Sequence, residues 1–205
     1  MSMEDAACDD AVYRRLAWLL DNREEWESSV DEVGSLLTGS SDRIAAKALW
    51  VFGEMGLRYP QLVELYLDAA AAHLRSENPH LRERAVCALG RIGRAEYALV
   101  LPYFDALMEL CRDPASDVRM HGIWACENIA TTAPELFEGR MDAFAHLLGD
   151  DAERVRMEAP EIFRVVGKRR RDLVEPYLPA LRTLAETDEN RVVRIHAAGA
   201  VKAAG

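Results

Sequence analysis

The residues most able to do chemistry in this chain are its cysteines, histidines and tryptophans. The four cysteines, Cys8, Cys87, Cys111 and Cys126, show no C-x-x-C spacing and no paired-histidine companion. Neither structural zinc nor a disulfide framework is therefore expected. No nucleophile elbow, phosphate-binding glycine loop or H-E-x-x-H sequence occurs. We predict no metal, no cofactor and no catalytic residue.

Cys87 is the cysteine with the most charged surroundings in the sequence. Its neighbours one helical turn away are Arg84 and Arg91, which can lower the pKa of a thiol but cannot accept its proton. We interpret Cys87 as an inert thiol. The tryptophans are candidate binding residues, because tryptophan is enriched at the centres of binding interfaces. Whether they can contact a partner depends on the helices that position them.

The charge balance narrows the class of partner. The 205 residues carry a net charge of −10 with a sequence pI near 5.0, and residues 1–42 contain 11 acidic and 3 basic side chains. A face that grips nucleic acid should raise the pI well above neutrality, so nucleic acid is a disfavoured partner. No apolar run reaches the roughly 18 residues of a membrane span. The acidic N-terminus lacks the pattern of a signal peptide, so we expect a cytoplasmic protein without membrane contact.

A repeat is the main signal in the sequence. Five segments align, and their first residues are separated by 37, 37, 37 and 38 positions; these residues are Ile44, Leu81, Val118, Val155 and Val193. Counting each of them as position 0, position 4 is always small: Ala48, Ala85, Gly122, Ala159 and Ala197. Position 12 is Gly56, Gly93, Ala130, Gly167 and Gly205. One fixed period over whole columns indicates a true repeat.

Each repeat is predicted to contain two helices, because apolar residues recur at three- and four-residue spacing. First helices are expected near 60–75, 97–112, 134–148 and 171–186. Second helices are expected near 41–56, 79–93, 115–130, 152–166 and 190–204. Asn78-Pro79 and Asp113-Pro114 are predicted starts, and the position-12 glycines are predicted left-handed ends. Residues 1–40 form a helix pair, near 10–20 and 23–38, that suits an N-terminal cap.

These features resemble HEAT repeats. The resemblance covers roughly residues 41–205 and includes the arginines at position 1, namely Arg82, Arg119, Arg156 and Arg194. We expect these arginines to be structural, pairing with a neighbouring acid. Ala45 departs from the pattern and predicts a first repeat without the usual polar link. The resemblance implies an all-α, right-handed α-α superhelix of about five helix pairs plus an N-terminal capping helix, forming one solenoid domain over 1–205.

In HEAT arrays the second helices line the concave surface, so their outward positions are the candidate binding face. Position 6 lies opposite the buried stripe and is Trp50, Cys87, Trp124, Glu161 and Gly199. The two tryptophans are either binding anchors or packed structural residues. Charges of both signs flank them: Lys47, Glu54, Arg84, Arg91, Arg94, His121, Glu127, Glu158 and Arg164. The predicted partner-binding residues are Trp50, Glu54, Arg84, Arg91, His121, Trp124, Asn128 and Glu161.

The mixed charges favour a protein or peptide partner and a non-catalytic scaffold or adaptor. The alternative function is nucleic-acid binding by a HEAT-like protein related in architecture to alkylpurine DNA glycosylases. Trp50 and Trp124 invite that comparison, but no adjacent Trp-Trp-Asp sequence occurs. Bilin lyases, a further enzyme class with HEAT-like arrays, have repeats shorter than 37. A third reading is a capped piece of a larger assembly. Partner identity and oligomeric state are not encoded in these patterns.

Overall fold

The protein is described by a computed structural model that covers residues 3–205, with side chains from Cys8 onward. Helices joined by turns make up this part of the chain, and no β-strand occurs in it. The chain divides into two compact units, an N-terminal unit that ends at Tyr103 and a C-terminal unit that begins at Phe104. Nor does any helix in the described residues have the length and apolar character to cross a membrane.

The described part of the N-terminal unit contains six α-helices. They are α1 (Met3–Asp21), α2 (Trp26–Ser35), α3 (Asp42–Arg58), α4 (Pro60–Val63), α5 (Leu67–Ala72) and α6 (Pro79–Ala95). Short 3₁₀ segments connect them at Arg23–Glu25, Glu64–Tyr66, His73–Arg75, Tyr97–Leu99 and Leu101–Tyr103. Helix α3 is central, since it packs along α6 and also contacts α1 and α2.

The C-terminal unit contains seven α-helices. They are α7 (Phe104–Glu109), α8 (Ser116–Ala130), α9 (Asp142–Ala145), α10 (Glu153–Gly167), α11 (Arg171–Val174), α12 (Leu178–Thr187) and α13 (Arg191–Ala204). The 3₁₀ segments are Leu110–Arg112, Pro134–Phe137, His146–Gly149 and Glu175–Tyr177. Helix α10 packs against both α8 and α13, and α12 packs against α13.

The second helices of the repeats are α3, α6, α8, α10 and α13, and their bounds lie within a few residues of the predicted ranges. The buried stripe is also confirmed: in α3, Ile44, Ala48, Phe52 and Met55 are almost wholly buried. These residues recur every three or four positions, so they lie on one side of the helix. Burial of that side holds each helix in place, because a single helix of this length is marginal in water.

The first helices differ from the prediction, since each is divided into short α and 3₁₀ pieces rather than running continuously. Three of the 3₁₀ segments contain a proline, namely Pro102, Pro134 and Pro176. Proline has no backbone N–H and its ring collides with the carbonyl four residues earlier, so a straight α-helix cannot continue through it. In α10, by contrast, the helix continues through Pro160.

Helix starts were predicted correctly at one of the two proposed sites. Asn78 Oδ1 accepts a hydrogen bond from the backbone N–H of His80 at 2.9 Å, and α6 begins at Pro79. Helix α8, however, begins at Ser116 rather than at Pro114. Asp113 closes a tight turn ahead of the helix, where Oδ1 accepts from the N–H of Ala115 at 2.8 Å.

The prediction that position-12 glycines end the helices in a left-handed conformation is wrong. Positive φ angles occur among the described residues only at Gly39 and Gly139. Gly56 lies inside α3, where an added Cβ would sit 2.4 Å from Cγ1 of Ile92 on α6. Glycine therefore permits close approach of two neighbouring second helices, which a sequence pattern cannot distinguish from a helix terminus.

Two of the position-1 arginines, Arg119 and Arg156, pair with a neighbouring acid as predicted, whereas Arg194 donates to the carbonyls of Asp188 and Glu189. Arg119 donates from Nη1 to the carbonyl of Asp113 at 2.8 Å, and from Nε and Nη2 to the carboxylate of Asp150 at 2.8 and 2.7 Å. Arg156 repeats this arrangement with the carbonyl of Asp150 at 2.8 Å and the carboxylate of Asp188 at 3.1 Å. Arg119 and Arg156 thus each fasten their own turn to the turn of the next repeat.

The first repeat lacks this arginine link, as the departure at Ala45 predicts. Ala45 is buried, and its methyl side chain cannot bind a carboxylate. Asn78 Nδ2 donates to Oδ2 of Asp42 at 2.8 Å, which ties the start of α6 to the start of α3. Asn190 makes the equivalent link to Glu153 at 2.6 Å in the C-terminal unit.

A second set of links, which the sequence analysis missed, joins neighbouring first helices. Aspartates recur at the repeat period, and each accepts a hydrogen bond from a side chain 35 residues later in the chain. The pairs are Tyr66–Asp31 (2.8 Å), Tyr103–Asp68 (2.5 Å), Arg140–Asp105 (2.7 Å) and Tyr177–Asp142 (2.6 Å). Burial, and then the bond to aspartate, raises the pKa of Tyr103 and of Tyr177 to about 12. Because Asp31 lies on α2 and belongs to this series, α2 corresponds to the first helix of a repeat.

Candidate functional site

Trp50 is the most prominent feature of the second-helix face in the N-terminal unit. Its side chain is 38% exposed, and cations lie over its ring. The ring centroid is 4.5 Å from Nζ of Lys47 and 5.3 Å from Cζ of Arg84. These distances are in the range of cation–π attraction. Trp50 therefore stands in a cationic environment.

A pocket opens beside Trp50, entirely within the N-terminal unit. It holds about 290 Å³ and is lined by Tyr13, Arg43, Ala46, Lys47, Trp50, His80 and Arg84. Tyr13 forms a second aromatic wall, with Cζ of Arg43 4.5 Å and Nζ of Lys47 5.3 Å from its ring centroid. The pocket, which we name the Trp50 pocket, combines aromatic walls with basic side chains.

The positive charge of the Trp50 pocket is only partly balanced. Arg43 pairs with Asp10, with Nη1 and Oδ1 2.6 Å apart. Within the described residues, Lys47 and Arg84 form no ion pair. Burial, followed by repulsion from Arg84, lowers the pKa of Lys47. Two cations held close together attract an incoming anion.

Glu54 and Arg91, two predicted binding residues, bind each other. Nε of Arg91 lies 2.8 Å from Oε1 of Glu54, and both side chains are mostly shielded from solvent. The pair joins α3 to α6 one turn beyond Trp50. The structure gives these two residues a structural contact, and a direct role in partner binding stays a prediction.

Cys87 lies at position 6, yet it is buried rather than outward-facing. Burial raises the pKa of its thiol to about 12, and the opposing charges of Arg91 and Arg84 are too weak to offset that effect. The thiolate is the reactive form, so this finding agrees with the interpretation of Cys87 as an inert thiol.

In the C-terminal unit, three predicted binding residues follow one another along α8. Nδ1 of His121 donates to the carbonyl of Asp117 at 2.8 Å. Trp124 is half-buried, unlike Trp50, and its carbonyl accepts from Nδ2 of Asn128 at 2.8 Å. Asn128 is only 6% exposed. The helix thus draws the Asn128 amide back onto its own backbone, instead of presenting it to solvent as the sequence led us to expect.

Glu161 is the last of the predicted residues, and the structure places it in an ionic cluster. Its Oε2 accepts from Nε of Arg164 at 2.5 Å, and its Oε1 lies 3.5 Å from Nδ1 of His196 on α13. The same His196 nitrogen donates to the carbonyl of Met157 at 2.7 Å.

Two further carboxyl groups share this cluster. Glu127 on α8 has a buried Oε1 that accepts no hydrogen bond from any described residue. Burial, and then the charges of Glu158 and Glu161, raise the pKa of Glu127 well above its ordinary value, and Arg164 only partly opposes them. Burial also raises the pKa of Glu158, again with a contribution from Glu161. We name Glu127, Glu158 and Glu161 the carboxylate cluster.

Part of the chain matches a family model in sequence. The model describes HEAT repeats, and the matched residues are 67–161. The chain therefore contains HEAT repeats. The match spans α5 to the middle of α10, so it includes His80 and Arg84 of the Trp50 pocket and all three residues of the carboxylate cluster.

Solved structures of repeat solenoids share the fold over almost the whole chain. A designed armadillo repeat protein in complex with the peptide (KR)4 is 20% identical, with 94% of this chain and 86% of that chain covered and a TM-score of 0.74. A computationally designed armadillo repeat protein for modular peptide recognition is 19% identical, with 95% and 89% covered and a TM-score of 0.70. An engineered protein is 19% identical, with 98% and 91% covered and a TM-score of 0.74. No curated protein matches this chain in sequence.

Proposed function

We propose that this HEAT-repeat protein is a non-catalytic scaffold or adaptor that binds a protein or peptide on the face formed by its second helices. The observation that carries the proposal is the Trp50 pocket. An exposed tryptophan flanked by two cations is suited to bind an extended segment that carries a carboxylate beside an apolar group.

The energetic argument starts from the free protein. Lys47 and Arg84 repel each other beside the Trp50 ring, and this repulsion is part of what lowers the pKa of Lys47. An acidic side chain of a partner would relieve that repulsion, and covering Trp50 would remove apolar surface from water. Both gains arise only when a partner is bound, so both favour binding.

The designed armadillo relatives support a peptide or protein as the class of partner. One of them is described as bound to a peptide and another as made for modular peptide recognition. The present chain shares their fold.

Nucleic acid is the weaker alternative for the same face. The carboxylate cluster lies at outward repeat positions of the second helices in the C-terminal unit, and carboxylates repel a phosphate backbone. The net charge of −10 acts in the same direction. A scaffold role also agrees with Cys87, whose raised pKa leaves it unsuited to nucleophilic chemistry.

The test is a selection of short random peptides displayed on phage, followed by affinity measurements in solution. Peptides selected on the wild-type protein should contain Asp or Glu, and Trp50→Ala should weaken their binding at least about tenfold, equivalent to 1.4 kcal/mol. Leu65→Ala is the matched control, because Leu65 is an apolar side chain of the same unit with 80% exposure and lies outside the pocket. It should leave affinity within about twofold.

Two results would contradict the proposal. One is equal binding of the selected peptides to wild type and to Trp50→Ala of confirmed helicity. The other is tight binding of duplex DNA whose affinity falls steeply with salt, which would favour the nucleic-acid alternative.

A further inference from the structure

We infer that the carboxylate cluster is a subsite for a cationic side chain, a lysine ammonium or an arginine guanidinium, of the bound protein or peptide. The inference rests on the proposed function, because it assigns a second chemical feature to the same partner. It concerns the C-terminal unit alone.

The geometry of the cluster supplies the first step. Glu127 comes from α8, Glu158 and Glu161 come from α10, and His196 comes from α13, so three consecutive second helices converge. Glu127 and Arg164 both lie at position 9 of their repeats, and Glu158 and Glu161 lie at positions 3 and 6. These are outward positions of the second helices, which places the cluster on the proposed binding face.

The second step is a shortage of positive charge. The groups that face Glu127 are Glu158, Glu161 and Arg164, all from α10. Arg164 is the only permanent cation among them, and its Nε is already bound to Glu161 at 2.5 Å. Nδ1 of His196 lies 3.5 Å from Oε1 of Glu161, and its N–H donates a hydrogen bond to the carbonyl of Met157. Three carboxyl groups therefore share one permanently charged partner.

The third step is the vacant acceptor. Oε1 of Glu127 is buried and makes no hydrogen bond within the described residues. A buried polar atom without a partner is rare in proteins and costs stability. The donors that could satisfy such an oxygen are N–H groups, and a lysine or arginine carries several of them. No set of three or more His, Cys, Asp or Glu residues in the described part of the chain is arranged to hold a metal ion, so an organic cation fits the site better than a metal.

Binding of a cation should be linked to loss of a proton. Without a partner, burial and mutual repulsion favour the protonated carboxyl of Glu127. A bound cation stabilises the ionised form, so it should lower the pKa of Glu127. By the same linkage, affinity for the cation should fall as the pH drops through the raised pKa, because the protonated carboxyl carries no charge.

The experiment follows the carboxyl carbons of the full chain, labelled with ¹³C at the glutamate side chains, by NMR. The probe is Nα-acetyl-L-arginine amide, and the Glu127 signal is the one missing from Glu127→Gln. We expect the probe to lower the titration midpoint of Glu127 by about one pH unit in a saturable manner. Glu158→Gln should reduce that shift at least about twofold, whereas Glu175→Gln, at an exposed site of the same unit, should leave it unchanged.

Tetramethylammonium chloride at the same concentration measures the effect of ionic strength alone. Equal midpoint changes with both salts, or an unchanged response in Glu158→Gln, would overturn the inference. The measurement uses no peptide and no part of the Trp50 pocket, and Trp50→Ala should respond like wild type. A failed peptide selection and a failed cation subsite are therefore distinguishable.

Discussion

The two units place side chains of opposite charge at equivalent positions of their second helices. In the N-terminal unit, position 3 is Lys47 in α3 and Arg84 in α6, and both cations lie over Trp50. In the C-terminal unit, position 3 of α10 is Glu158 and position 6 is Glu161. The repeat determines where an outward side chain stands, while its chemistry differs from one repeat to the next. The Trp50 pocket of the N-terminal unit is therefore suited to an acidic group, and the carboxylate cluster of the C-terminal unit is suited to a basic one.

The units also differ in how consecutive repeats are fastened. In the C-terminal unit, mostly buried arginines bind both a carboxylate and a carbonyl of the neighbouring turns. At the first repeat of the N-terminal unit, Ala45 makes no such link, and the exposed pair of Asn78 and Asp42 joins the two second helices. The C-terminal links have charged partners that are shielded from solvent, so their loss should lower the free energy of unfolding more.

The largest expected effect tests this difference in links. Arg156→Met should lower the free energy of unfolding by about 3 kcal/mol, because the mostly buried carboxylate of Asp188 loses its cation. Asn78→Ala should cost about 1 kcal/mol, mainly through the lost helix cap. Urea denaturation followed by circular dichroism measures both. Arg154→Met removes the exposed pair with Asp117 and is the control, with an expected change within about 0.5 kcal/mol. Equal losses in all three variants would remove the distinction between the units.

The next effect concerns the carboxylate cluster and depends on pH. Glu127→Gln should stabilise the protein by about 1–2 kcal/mol at pH 8. The glutamine amide is neutral at every pH, so it avoids the cost of ionising a buried carboxyl or of keeping it protonated above its ordinary pKa. The folded-state pKa of Glu127 is raised by burial. Its destabilisation is therefore absent below the ordinary glutamate pKa of about 4.3 and grows as the pH rises toward the raised value.

Denaturation of wild type and Glu127→Gln at pH 4 and pH 8 checks this prediction. The two proteins should be equally stable at the lower pH and should separate at the higher one. Glu175→Gln, at an exposed site of the same unit, should show no such separation. A stabilisation that does not change with pH would mean that packing, and not the charge of Glu127, is responsible.

The smallest expected effect reports the charge of the Trp50 pocket directly. Iodide should quench the fluorescence of Trp50 about twofold more efficiently than caesium does, because Lys47 and Arg84 concentrate anions beside the ring. Subtracting the signal of Trp50→Phe isolates this residue from the other three tryptophans. Lys47→Glu with Arg84→Glu should reverse the order of the two quenchers. The same order before and after the charge reversal would show that these cations do not control the pocket.

Much of the fold could be predicted from the sequence, because period and pattern are local properties. The 37-residue spacing located the second helices, and the position-1 arginines indicated the links that Arg119 and Arg156 make. Aspartates such as Asp31 and Asp68 repeat with the same period. They could have been found in the sequence, but their partners lie 35 residues away on another helix.

The sequence by itself determined the HEAT-repeat class and the face on which a binding site should lie, since both follow from helical periodicity. Tertiary structure alone decided which outward residues are available. It left Trp50 exposed, turned Asn128 back onto α8, paired Glu54 with Arg91 and buried Cys87. It also brought Glu127 beside Glu158 and Glu161, and it used Gly56 for close helix packing instead of a helix end. The physical reason is that exposure, pairing and desolvation depend on neighbouring helices, and one helix's sequence does not specify the distance to the next.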